Sequence, residues 1–348
     1  MAQAYLSAIE YYLPAGILDN AAIQLQHPEW SVDKIAAKTG IAERHIAGKG
    51  EYSSDMAVCA AEQLFSDSGV DRETIDYLLL CTQSPDYFLP TTACIVQDRL
   101  HLGKTIGALD FNLGCSGFVY GLGLAKGLIA SEQARQVLLI TAETYSKFIH
   151  PDDKGNKTIF GDGAAAVLVS AGGRDAVTAG RTDGLAGEIG NFHYGTDGSG
   201  QGFLIVKNGG MRGRYAMGRD IMDEETGGFL RNDDNLYMDG KAIFNFTAFS
   251  VPALIKEALQ KNALSMEDID LFVFHQANEF MLQTVRKRCG IPENKFYIHM
   301  RDCGNTVSST IPIALKNAIA DKAIRPGTKV LVAGFGVGLS MAATILDF

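Results

Sequence analysis

The chain has 348 residues, 47% of them hydrophobic and 20% charged, with a formal net charge of -9. That length exceeds the usual single domain and supplies a core that needs no staples, and the composition excludes a disordered or fibrous protein. The acidic balance argues against a general nucleic-acid surface, so an acidic partner requires a local basic patch.

In chain order, "IDYLLLCT" (75–82), "IGALDF" (106–111), "QVLLITAE" (136–143) and "AAAVLVS" (164–170) read as strands between longer helical stretches, the pattern of α/β layering. The apolar segment 117–130 carries Lys126 and four glycines. It is shorter than the roughly 20 residues of a membrane span, so it reads as a helix buried in protein, and no membrane association is expected. Residues 183–237, rich in Gly, Asp and Asn, read as a long irregular excursion. Beyond it "IDLFVFH" (269–275), "KFYIHM" (295–300), "KVLVAGFG" (329–336) and "MAATILDF" (341–348) repeat the strand theme.

The repetition is ordered. "IDYLLLCTQ" matches "IDLFVFHQA" in pattern, "GCSGFVYGLGLAKGLIAS" matches "GNTVSSTIPIALKNAIAD", and "RQVLLITAE" matches "TKVLVAGFG". The members of each pair lie about 190 residues apart, far too long a period for a solenoid. The reading is two similar α/β halves, 1–172 and 173–348, joined at "SAGGRD".

Ligands of open α/β sheets bind beyond the carboxyl ends of strands, where helix N-termini also point. Cys115 follows "IGALDF", His275 ends "IDLFVF", Asn305 follows "KFYIHM", and "GFGVG" (334–338) follows "KVLVA". Cys115 opens the glycine-punctuated helix, whose N-terminal field is expected to lower the thiol pKa. A polar "HQAN" directly after an apolar strand is costly unless it lines a cavity. Asn305 could instead cap the next helix, and "GFGVG" could be only a turn. The other cysteines, 59, 81, 94, 289 and 303, form no CxxC pair and read as packing residues. No His/Cys spacing of the zinc type occurs, no metal or other cofactor is implied, and the scattered thiols without a secretory leader suggest the cytoplasm.

The Cys of "GCSGF", the His of "FHQAN" and the Asn of "CGNT" together resemble the Cys-His-Asn set of the thiolase superfamily, most closely β-ketoacyl-[acyl carrier protein] synthase III. "KTGIAERHIA" (38–47), "TQSPDYFLPTTA" (82–93), "TIFGDGAAAVL" (158–168) and "GFGVG" extend the likeness over nearly the whole chain. The resemblance implies a thiolase-like fold of duplicated halves in an αβαβα sandwich. It also implies that Cys115 takes an acyl group from acyl-CoA or an acyl carrier. Gly336, Val337 and Gly338, with the Cys115 amide, would stabilise the oxyanion. His275 and Asn305 would polarise a malonyl thioester for decarboxylative Claisen condensation, in fatty-acid or specialised acyl biosynthesis.

By the same resemblance Phe335 stands beside the cysteine, Phe88 and Leu89 reach across a homodimer interface, and Lys38 contacts substrate. Arg286 and Lys287 would dock an acidic acyl carrier protein. The chain departs from the family pattern at Val337, where a glycine is usual, and at Phe280 and Asn245, where basic residues are usual. It departs also on the early helix, where Lys34 occupies the place of a tryptophan and Trp30 stands too early. A non-decarboxylating acyltransferase and a non-catalytic partner subunit are the alternatives.

Overall fold

The structure, a computed structural model, describes residues 2–178, 185–225 and 227–348. Its sheet contains β1 (Ala4–Tyr12), β2 (Tyr77–Cys81), β3 (Gly107–Phe111), β4 (Gln136–Glu143), β5 (Gly163–Ala171), β6 (Gly187–Ile189) and β7 (His193–Thr196). It continues with β8 (Leu271–Phe274), β9 (Phe296–Tyr297), β10 (Lys329–Gly336) and β11 (Ser340–Asp347). The strand order is β9-β8-β10-β11-β6-β1-β5-β4-β2-β3, with β7 beside β11.

One arrangement occurs twice in that order. Strand β2 pairs parallel with β3 and β4, and β4 pairs antiparallel with β5. Likewise β8 pairs parallel with β9 and β10, and β10 pairs antiparallel with β11. The helices are α1 (Val32–Thr39), α2 (Ser53–Ser68), α3 (Thr92–Arg99), α4 (Gly117–Ala130), α5 (Gly240–Lys261), α6 (Glu279–Arg288) and α7 (Thr310–Ala320), besides shorter turns.

Three apolar cores fill the spaces between layers. The middle one joins Phe118 and Leu122 of α4 and Ile311 and Leu315 of α7 to Leu79, Val137 and Val332. Leu78, Leu80, Leu138 and Ile140, on the opposite faces of the same strands, pack on Met56, Ala60 and Leu64 of α2. Phe272 and Leu331 pack on α5 and α6 in the third. Side chains alternate in direction along a strand, so strands covered on both faces must be apolar throughout, as these are. Each buried Leu or Val contributes about 1.5–3 kcal/mol.

Helix α5 is long and apolar enough, by length and composition, to cross a membrane. Its buried stripe, including Val251, Leu254, Ile255 and Ala258, lies instead in the third core.

The structure differs from the sequence reading at several points. Strand β1 was not anticipated. The expected strand at 295–300 shrinks to Phe296–Tyr297. The excursion 183–237 opens with β6 and β7 and then forms two small hairpins, Leu204–Val206 with Leu236–Met238 and Ile221–Met222 with Phe229–Arg231. Strands of two to four residues are too short to display a hydrophobic period, which is why glycine content dominated that reading. Residues 183, 184 and 226 lie outside the described residues. Cys59 and Cys94 are exposed and are not core packing residues.

Candidate active site

Cys115 stands in the turn between β3 and α4, His275 directly follows β8, Asn305 lies between β9 and α7, and Val337 and Gly338 lie in the turn from β10 to β11. All three candidate reactive side chains are at most 5% exposed. One apolar cluster contains Cys115, Ala277, Val307, Tyr145 and Leu236, so the loops bearing the three converge. Strand β10 reaches the sulfur because it ends in glycine: a Cβ on Gly336 would stand 2.7 Å from Cys115 Sγ.

The backbone N–H groups of Val337 and of Cys115 itself favour the thiolate. They pull the thiol pKa down, yet burial outweighs them and pushes it up to about 12. The lowering expected from the helix terminus is therefore not realised in the resting protein: the sulfur sits in an apolar cluster and is a thiol.

His275 Nδ1 lies 2.8 Å from Thr310 Oγ1, and that hydroxyl reaches the Val307 carbonyl at 3.1 Å. When the hydroxyl donates to Val307, it accepts from Nδ1–H and leaves Nε2 as a lone pair. Turned to donate to Nδ1, it leaves Nε2 protonated. Thr310 thus partners either imidazole tautomer. Burial lowers the His275 pKa to about 3, so the ring is neutral, and Phe335 packs edge-on against it at 6.2 Å.

Asn305 does not cap α7, whose N-cap is Ser309. Its Oδ1 accepts the Val307 N–H at 2.9 Å and its Nδ2 donates to the Ala277 carbonyl at 3.4 Å, tying its loop to that of His275. This turn forces Val307, a β-branched residue, to φ 57, a conformation that costs about 1–3 kcal/mol.

Two cavities flank the cluster and share Leu236. One, of about 700 Å³, is lined by Trp30, Lys38, Phe244, Asn278 and Phe280. The other, of about 840 Å³, is lined by Gln83, Phe88, Tyr145, Leu204 and Val337. Sequence reasoning placed Trp30 too early to serve the first. The turn that bonds Trp30 N–H to the His27 carbonyl folds the ring back, so that the ammoniums of Lys34, Lys38 and Lys154 lie 5.8, 5.4 and 5.9 Å from it.

Leu89 is exposed and lies outside the lining of the second cavity. Arg286 turns inward, bonded to Gln283 and the Ile291 carbonyl, whereas Lys287 is exposed. Thr310, Tyr145, Gln83 and Glu143 escaped the sequence reading, although the acidic end of "QVLLITAE" was a visible signal. Among the described residues no group of three or more His, Cys, Asp or Glu could hold a metal ion.

Family models for 3-oxoacyl-[acyl-carrier-protein] synthase III match residues 109–198 and, for its C-terminal part, 238–348. The chain is 32% identical over 347 residues to the beta-ketoacyl-[acyl-carrier-protein] synthase III of Oleidesulfovibrio alaskensis, covering 99% of this chain and 98% of that one. It is 36% identical over 337 residues to that of Nitratidesulfovibrio vulgaris, covering 97% and 96%.

Among solved structures, a 3-oxoacyl-(acyl-carrier-protein) synthase III superimposes with a TM-score of 0.93 at 45% identity, covering 99% of this chain and 100% of that one. The synthase III of Thermus thermophilus superimposes at 0.82 with 32% identity, covering 99% and 98%. The priming ketosynthase of the R1128 polyketide pathway does so at 0.83 with 28%, covering 99% and 96%. With the fold, the converging loops and full-length kinship in agreement, the chain belongs to the beta-ketoacyl-[acyl-carrier-protein] synthase III family, condensing acyltransferases of the thiolase fold.

Proposed function

We propose that Cys115 accepts an acyl group from acyl-CoA or an acyl carrier and that the acyl-enzyme condenses with a malonyl thioester in fatty-acid biosynthesis. The observation that carries the reading is the convergence of the loops of His275, Asn305 and Gly336 on the buried Cys115, where the N–H groups of Val337 and Cys115 favour negative charge. They are donors of the kind that stabilise the oxyanion of an attacked thioester. Gly336 and Gly338 hold the turn that presents the Val337 N–H.

In acyl transfer the thiol proton passes to the His275 Nε2 lone pair and then to the departing thiolate, while sulfur bonds to the acyl carbon. In condensation the imidazole takes its other tautomer by proton exchange with solvent, and Nε2–H of His275 and the free N–H of Asn305 donate to the malonyl thioester oxygen. Loss of CO2 leaves an enolate whose carbon attacks the acyl-Cys115 carbonyl and expels Cys115 as a thiolate, which takes a proton from solvent to return to the thiol. Thr310 supports both phases because its hydroxyl pairs with either tautomer.

The 700 Å³ cavity suits the pantetheine arm, with Lys38 and Trp30 at its mouth for the phosphate-bearing end, and the 840 Å³ cavity suits the acyl chain. Val337 lines the latter, and its Cγ1 would stand 2.9 Å from a Cβ added at Gly114. Lys287, with exposed Arg288 beside it, presents positive charge to an acidic carrier protein. We read the chain as two catalytic halves, 1–172 bearing the nucleophile and 173–348 bearing His275 and Asn305, and place it in the cytoplasm.

Intact-mass analysis after incubation with acyl-CoAs tests the assignment. Cys115→Ala should form no adduct. His275→Ala and Asn305→Ala should still load but release at least 100-fold less CO2 from malonyl carrier, a loss within the usual range for removing one such group. Undiminished condensation in either variant overturns their roles, and transfer without CO2 release would favour a non-decarboxylating acyltransferase.

A further inference from the structure

Glu143, the last residue of β4, is fully buried beneath the loops that carry the reacting groups. Its carboxyl accepts the Gln83 N–H at 3.0 Å, the Ser84 hydroxyl at 3.3 Å and the Ser308 hydroxyl at 2.8 Å. Those donors come from the loop leading to Phe88 and from the segment between Asn305 and Thr310. Its three hydrogen-bond partners are neutral, Asp162 adds like charge, and Glu143 acts in turn on the acids Cys81, Cys115 and Tyr145, while the ammonium of Lys147 acts on Asp162. A buried carboxylate with no cation is costly and is not explained by stability alone.

We propose that Glu143 is a positioning residue for the nucleophile: it ties the 83–84 and 305–309 loops together beneath Cys115 and shares with that thiol a single negative charge. The inference rests on the reading of Cys115 as the nucleophile. Burial is the largest cause of the raised Cys115, Cys81 and Tyr145 ionisations, and charge on Glu143 adds to each. Like charges in one low-dielectric pocket do not both form, so the cluster titrates as a unit. With Glu143 ionised, Cys115 is held further toward the thiol that burial already favours. With Glu143 protonated, the thiolate forms more readily. The two hydroxyl partners can rotate, which lets the carboxyl group keep hydrogen bonds in both states. Burial raises the Glu143 pKa to about 8, which puts its own charge change near neutrality.

The test is the pH dependence of Cys115 alkylation by iodoacetamide, followed on the Cys115 peptide by mass spectrometry because Cys59 and Cys94 are exposed. Removing a like charge from the pocket should lower the midpoint in Glu143→Gln by about one pH unit, or about tenfold faster modification at about pH 10, where Glu143 is ionised in the wild type. Glu143→Asp, which keeps the charge, should restore the wild-type midpoint. An unchanged midpoint in folded Glu143→Gln overturns the proposal. If that variant does not fold, Ser308→Ala serves: losing a donor that favours the carboxylate keeps Glu143 protonated to higher pH, so Cys115 should be modified about threefold faster at about pH 9, and an unchanged rate overturns the proposal. Failure of wild-type Cys115 to take any acyl adduct from acyl-CoA overturns the nucleophile reading itself, a different result from an adduct that forms with an unaltered pH profile.

Discussion

At the residue scale the site holds its charges back. A thiol pushed up to about 12 and an imidazole pulled down to about 3 are both neutral at rest, so Cys115 and His275 form no standing ion pair. Charge develops only when a thioester oxygen takes the N–H groups of Val337 and Cys115. The same burial links His275 to folding. Its folded pKa lies below the unfolded 6.5, so the unfolded chain binds the extra proton between about 6.5 and 3. The stability tied to its neutral form is complete above pH 6.5 and declines as the pH falls, by about 1.4 kcal/mol for each pH unit. Urea unfolding from pH 7.5 to 5.5 should show that decline, and His275→Gln should flatten it; equal slopes in the two proteins would refute the account.

Helix α4 shows how an element delivers a residue. Its glycines bring it against the sheet, and a Cβ at Gly117 would meet Cys81 Sγ at 2.3 Å, whereas Gly127 meets nothing within 4 Å. Gly117→Val should cost about 1–3 kcal/mol by overpacking and should slow acyl loading by shifting Cys115. Gly127→Ala, at an exposed position within the helix, should raise stability by about 0.4–1 kcal/mol with loading unchanged. Calorimetry of both variants decides whether close packing, and not glycine content as such, positions the sulfur. The element scale also explains the misread cysteines: Cys59 and Cys94 sit in helices that cover the sheet, on the faces turned to solvent.

For the whole molecule, strand β3 is one of the two terminal strands of the sheet order, paired with β2. Tyr87 and Phe88 stand exposed at 63% and 70%, and both line the 840 Å³ cavity. An open edge beside exposed aromatics invites pairing, and a second copy of the chain would close that cavity. Sedimentation velocity should show wild type as a dimer of the 37.4 kDa chain. Phe88→Asp should shift it toward monomer and lower condensation at least tenfold, a loss in keeping with burying an unpaired charge at an interface. A fully active wild-type monomer would refute the arrangement.

The α/β layering was legible in the sequence because strands covered on both faces leave uninterrupted apolar runs, and the four runs expected between residues 75 and 170 coincide closely with β2, β3, β4 and β5. Cys115, His275 and Asn305 stood out because polar or reactive residues close such runs, where burial without purpose is costly. Only the tertiary structure decided what depends on distant partners. It returned Trp30 to Lys38 through a turn, turned Arg286 inward, and joined Glu143 to a serine 165 residues away. It also raised the thiol pKa that the helix terminus alone would lower. A local pattern records which side chains face inward, whereas ionisation and mutual position depend on everything packed around them.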